Sequence, residues 1–150
     1  MYDIVQVVNA ILSKQSMTHK KLQKICYYFY SWYWVIYNEK IFDDSFEAWV
    51  HGPVSPSLYK KYKSFGWKEI KIEEENNCFM VKDDKFLDKI LEIYGKYSAD
   101  ELEDLTHKEL PWQNARRGLD KFENCNSVID INDIRYFYEN QTDIKKLLQN

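Results

Sequence analysis

Residues 18–37 read THKKLQKICYYFYSWYWVIY, and this stretch decides the fold. Thr18 is a good N-cap, because its hydroxyl can accept a hydrogen bond from the first turn's unpaired N–H groups. The helix that it opens is expected to reach about Asn38. Leu22, Ile25, Cys26, Phe29, Tyr33 and Ile36 fall on one stripe at helical spacing. From Tyr27 onward the other faces are apolar too, through Tyr27, Tyr28, Tyr30, Trp32, Trp34 and Val35. A helix apolar all round has to be buried on several sides. The expectation is a mainly α fold: residues 1–150 as a single compact multi-helix domain around a central aromatic helix, with a small β-hairpin or short strands. The rings read first as core. The other reading is that some Tyr and Trp tips reach a groove or a partner surface.

Working outward, Ile4, Val5, Val8, Ile11 and Leu12 predict a first helix over residues 3–14 that faces the core. Residues 46–50, FEAWV, alternate and predict a short strand, which His51-Gly52-Pro53 then turns. Ser55 and Pro56 predict the cap and first residue of a third helix to about residue 65, closed by a left-handed Gly66. Ile70 and Ile72, Asn76-Asn77 and Cys78–Val81 predict a β-hairpin over 69–82. Asp83 or Asp84 is expected to cap a fourth helix to about Tyr97. Ser98 with Glu101 is a capping-box signal for a fifth, with Leu102 and Leu105 inward. Pro111 opens a short helix to about Gly118, and another starts near residues 130–132, with a helical tail from Gln141.

The bulk numbers fit one domain of 150 residues. Net charge is −3, which does not announce a nucleic-acid partner. The lysine clusters Lys20, Lys21, Lys24 and Lys60, Lys61, Lys63, and the acidic run Glu73, Glu74, Glu75, read as solvated surface. Cys26, Cys78 and Cys125 form no CxxC pair, so neither a zinc ribbon nor a redox dithiol is expected, and Cys26 reads as core. The N-terminus has no signal-peptide pattern and no stretch spans a membrane, so a cytoplasmic location is expected.

Chemistry-bearing sets are sparse. The chain has three histidines, and HExxH, a phosphate loop and GxSxG are absent. His19 is expected to be exposed. His107 and Glu109 stand two apart, on different helix faces, which disfavours a metal pair. Asp100, Glu101, Glu103 and Asp104 read as a helix first turn complementing the dipole. No metal, no cofactor and no enzymatic activity are expected. Trp49 and Trp112 sit beside turns, where each ring N–H can bond a turn carbonyl; buried His51 and His107 can do likewise. These corners read first as closures of the core and second as walls of a partner groove.

Three blocks, kept in order and spacing from about residue 3 to 140, carry a resemblance. The first is Thr18, Lys21, Leu22, Gln23, Lys24, Ile25, Tyr27 and Tyr28. The second is Glu47, Ala48, Trp49, Gly52, Pro53, Val54, Pro56 and Tyr59, with His51 on its turn. The third is Thr106, His107, Pro111, Trp112, Ala115 and Arg116. Together they resemble the Panacea domain family, the SocA-like antitoxin group common in prophages. The main departure is Ile25 where the family has Leu. The resemblance implies a mostly helical antitoxin that neutralises a cognate toxin by direct protein binding, in some members a toxic small alarmone synthetase. One branch implies the alternative of a proteolytic adaptor handing its toxin to a protease. A separate DNA-binding domain, which some members carry, is not expected here. The candidate motif or partner-binding residues are Lys21, Gln23, Tyr27, Trp49, His51, Gly52, Pro53, Tyr59, Thr106, His107, Pro111, Trp112 and Arg116. The competing reading is an orphan phage regulatory protein that binds nucleic acid through its lysine faces.

Overall fold

The computed structural model describes residues 1–72 and 78–150. The stretch quoted above is helix α2, His19–Tyr37, entered at the Thr18 cap and left through Asn38 at φ 56°. Asn tolerates this left-handed conformation, so the helix stops there. Around α2 pack α1 (Ile4–Lys14), α3 (Pro56–Tyr62), α4 (Val81–Tyr94), α5 (Ala99–His107), α7 (Ile131–Glu139) and α8 (Thr142–Gln149), with α6 (Leu110–Ala115) bridging α5 and α7. The rings of Tyr27, Tyr28, Phe29 and Trp32 are fully buried, so α2 is the axis of the core. The mainly α architecture expected of residues 18–37 is what forms.

Local signals mark most ends. Asp3 and Gln6 make a capping box for α1, and Ser98 and Glu101 make one for α5. Ser55 caps α3, Pro56 opens it, and a 3-10 turn over Lys63–Phe65 ends at Gly66 with φ 58°. Asp130 caps α7.

Four expectations are corrected. The hairpin over 69–82 does not form as drawn. Its turn lies outside the described residues; β4 (Glu69–Ile70) pairs antiparallel with β1 (Met17–Thr18), and Val81 already opens α4. The hairpin of this fold is β2 (Glu47–Trp49) with β3 (Gly52–Val54). Asp83 is not the cap of α4 but part of its first turn. It faces inward, where the Tyr2 and Tyr33 hydroxyls donate to its carboxylate at 2.8 and 2.7 Å. On α1, Val5 is exposed, while Val7 and Ala10 are buried beside Val8, Ile11 and Leu12. His19 is buried rather than exposed, its ring against Tyr59 and Tyr62 and its Nε2 3.0 Å from the Gln23 amide nitrogen.

Among the described residues no helix is long and apolar enough to cross a membrane.

Candidate functional site

Hairpin β2–β3 is where the three sequence blocks meet. Its register sets Trp49 opposite Gly52 and Ala48 opposite Pro53, leaving Val50 and His51 as the loop. Gly52 adopts φ 104°, a region open to glycine. A Cβ there would lie 2.6 Å from Lys24 Cε and 2.9 Å from Thr106 Oγ1. The glycine therefore lets α2 and α5 close on the turn.

Each flank adds a clamp. From α2, the Gln23 side chain bonds Ser55 both ways: its Oε1 accepts from the Ser55 N–H at 2.9 Å, and its Nε2 donates to the Ser55 carbonyl at 3.3 Å. From the next residue of α2, Lys24 Nζ donates to the Pro53 carbonyl at 3.1 Å. From α6, Trp112 Nε1 donates to the Trp49 carbonyl at 2.8 Å. Just past α6, Arg116 Nη1 donates to the Ala48 carbonyl at 2.9 Å, and its Nη2 gathers the carbonyls of Asp120, Lys121 and Glu123. The planar, always charged fork of arginine suits such a cluster of backbone acceptors. On the open side of β2, Ala48 N–H donates to the Ser127 carbonyl and Ile129 N–H to the Phe46 carbonyl. The hairpin is thus tied on every side.

The candidate residues divide accordingly. Gln23, Gly52, Pro53, Thr106, Pro111, Trp112 and Arg116 are buried. The expected bond from a tryptophan N–H to a turn carbonyl is made by Trp112. Trp49 instead turns its Nε1 to Glu47 Oε1 at 2.8 Å. Tyr27 lies in the core, edge-on to Tyr28 and Phe46. Lys21 is not brought to the hairpin: its Nζ donates to the Gly95 carbonyl at the end of α4. His51 is exposed, correcting its expected burial, with Nδ1 2.8 Å from Glu103 Oε1. His107 is half-buried and stacks on Trp112, with ring centroids 4.0 Å apart. Burial lowers its pKa, and among the described residues its Nε2 meets no hydrogen-bond partner.

Two clefts flank the hairpin. One of about 450 Å³ is lined by Trp49, His51 and Tyr59, with His19, Lys20 and Lys24 beneath. The other, about 540 Å³, is lined by His107, Trp112, Arg116, Lys108 and Asp104. Trp49 and Tyr59 meet edge-on at 4.7 Å on the first rim.

Two buried ionisable groups beneath this region escaped the sequence reading. Lys24 is not solvated surface but 1 % exposed. Burial, then the charge of Lys20, lowers its pKa to about 7. Its neighbours three and four positions on are Tyr27 and Tyr28, so the helical period already put it on an aromatic face. Glu109 turns into the core, away from His107, and Oε1 accepts from the hydroxyls of Tyr28 at 2.7 Å and Tyr138 at 2.8 Å. Burial raises its pKa to about 7, against the pull of those two hydrogen bonds. No spacing in the sequence ties Glu109 to Tyr28 or Tyr138, so no signal marked it. Among the described residues no three His, Cys, Asp or Glu side chains cluster closely enough to hold a metal ion.

A model of the family described as antitoxin SocA-like, Panacea domain, matches residues 22–113. That span holds the hairpin, its α2 and α5 clamps and Trp112, and stops short of Arg116. No curated protein and no solved structure matches the chain.

Proposed function

With the match over residues 22–113, the chain belongs to the SocA-like antitoxin, Panacea domain family, and from that premise we propose that it neutralises a cognate toxin by direct protein–protein binding, without catalysis. The observation that carries this reading is the division of labour at the hairpin. Buried motif residues hold the turn rigid, and the half-exposed rings of Trp49 and Tyr59 are left on the rim of a cleft. Rigid aromatic anchors on a fixed support give large buried area at low entropic cost. A proteolytic adaptor would use the same surface but consume the toxin.

Co-expression tests this. The gene adjacent to this one is induced alone and then together with this chain, and a tagged chain is pulled down. Rescue of growth with a stable complex is the expected outcome. Rescue with loss of the toxin protein and no complex would replace direct neutralisation by delivery to a protease. Absence of both toxicity and rescue would defeat the antitoxin reading.

A further inference from the structure

The cleft beside Trp49 and Tyr59 has a floor and an outward continuation that select the same ligand chemistry. Lys24 lines the floor. Its ammonium has one hydrogen bond among the described residues, to the Pro53 carbonyl. None of the ion pairs there includes it. A buried ammonium with one of three donors satisfied and no carboxylate in ion-pair contact among the described residues is costly; Glu103, the acid whose charge reaches it, is already engaged by Lys20 and His51, and a carboxylate entering the cleft would supply what is missing. The apolar side chains of Trp49, Val50, Val54 and Tyr59 share the cleft's lining with His19, Lys20, Gln23 and His51.

Gly66 lines the outer end of the same cleft. On either side of it in the chain, Phe65 is 39 % and Trp67 86 % exposed. Such a tryptophan contributes little to the core, and Trp is the residue most enriched among interface hot spots. Around it Lys60, Lys61, Lys63, Lys68 and Lys71 are all exposed, and Glu69 is the one acid within residues 56–71. Residues 56–71 thus carry five lysines and one acid in a chain whose net charge is −3.

We propose that the cleft and the Phe65–Trp67 ridge dock an acidic segment of a partner protein, one carboxylate entering toward Lys24 and adjacent apolar side chains seating on Tyr59, Phe65 and Trp67. This rests on the protein-binding reading above and adds the chemistry of the partner. A nucleic acid fits less well. The cleft offers one buried ammonium, and its other lysine, Lys20, is already paired with Asp100 and Glu103, which suits a single carboxylate rather than a run of phosphates, and the net charge of −3 opposes a polyanion.

The test pans random 12-residue peptides displayed on phage against the full chain. The enriched peptides are expected to combine Asp or Glu with Leu, Phe or Trp. A synthetic consensus peptide is then titrated by fluorescence polarisation. Trp67→Ser, and separately Lys60→Glu with Lys61→Glu, should each weaken it at least tenfold while leaving the thermal midpoint within a few degrees, since all three residues are exposed. Replacing the peptide's acids by Asn or Gln should weaken it as much, which reads the requirement for a carboxylate without risking the fold. Neutral or basic consensus peptides, no enrichment, or binding indifferent to these changes would overturn the proposal. So would a 12-nucleotide oligouridylate that binds more tightly than the peptide, making the face a nucleic-acid surface. Peptide binding that follows these rules in a chain that fails to rescue would keep this proposal and sink the antitoxin reading. Rescue undiminished by the Trp67 and lysine changes would do the reverse.

Discussion

At the scale of single residues, Glu109 and Lys24 are the two side chains the fold holds at a cost. Glu109 has its pKa raised from 4.5 to about 7, so the folded state keeps a proton that the unfolded chain releases across that window. The stability this adds is full below pH 4.5 and is lost as pH rises to 7, on the order of 3 kcal/mol. Glu109→Gln keeps an acceptor for Tyr28 and Tyr138 but cannot ionise. Its thermal midpoint relative to the wild type should therefore climb between about pH 5 and pH 8, and a difference flat with pH would refute the assignment. Lys24 has the opposite sign. Its pKa falls from 10.5 to about 7, so the unfolded chain binds more protons between those values and stability rises with pH there. Lys24→Met removes this dependence and the bond to Pro53, so its disadvantage against the wild type should grow from about pH 7 to pH 10 in the same melts. Lys24 could be found from its position three and four residues before Tyr27 and Tyr28. Glu109 could not, because its partners lie 81 and 29 positions away.

At the scale of elements, the hairpin is stable because helices hold it, since two three-residue strands alone are marginal in water. Gly52→Ala forces a Cβ against Lys24 and Thr106 at positive φ, and should cost about 2–4 kcal/mol in urea unfolding. An unfolding midpoint unchanged by that substitution would mean that α2 and α5 do not close on the turn. The two tryptophans of the site separate cleanly. Trp112→Ala removes a buried ring and its bond to the Trp49 carbonyl, and should cost about 3–5 kcal/mol. Trp49→Ala leaves that carbonyl in place and truncates a half-exposed ring, so it should cost markedly less and spare the fold. Circular dichroism melts of the pair decide this, and equal losses would place Trp49 in the scaffold. The β-pairing of Glu69–Ile70 shows the limit of pattern reading for strands. Alternation marks a strand but not its partner, and the antiparallel partners are Met17 for Ile70 and Thr18 for Glu69, more than 50 positions earlier in the chain.

For the molecule as a whole, α2 touches the hairpin and α1, α3, α4, α5, α7 and α8, and the buried apolar residues described form one cluster. Heat unfolding should be one cooperative transition, with near- and far-ultraviolet circular dichroism coinciding. Two separated transitions would show an independent subdomain. The same organisation separates binding from stability. Trp49→Ala with Tyr59→Ser should keep the melt close to that of the wild type yet weaken toxin capture by at least about 2 kcal/mol, roughly thirtyfold, measured on the purified complex. Unchanged capture would move the interface away from this cleft.

Helix periods, caps and the buried character of α2 followed from residues within a few positions of one another, because local hydrogen bonding and the helical repeat are short-range. The family resemblance was equally legible, because it is carried by residue identity and spacing. Which motif residues became clamps and which were left on the surface was not. That sorting depended on chain segments far apart in sequence converging on one turn, where the room left by Gly52 and the reach of Gln23, Lys24, Trp112 and Arg116 set what is buried. The exposure of Trp67 belongs to the same class of fact: it arises from long-range packing, which has no local period to betray it.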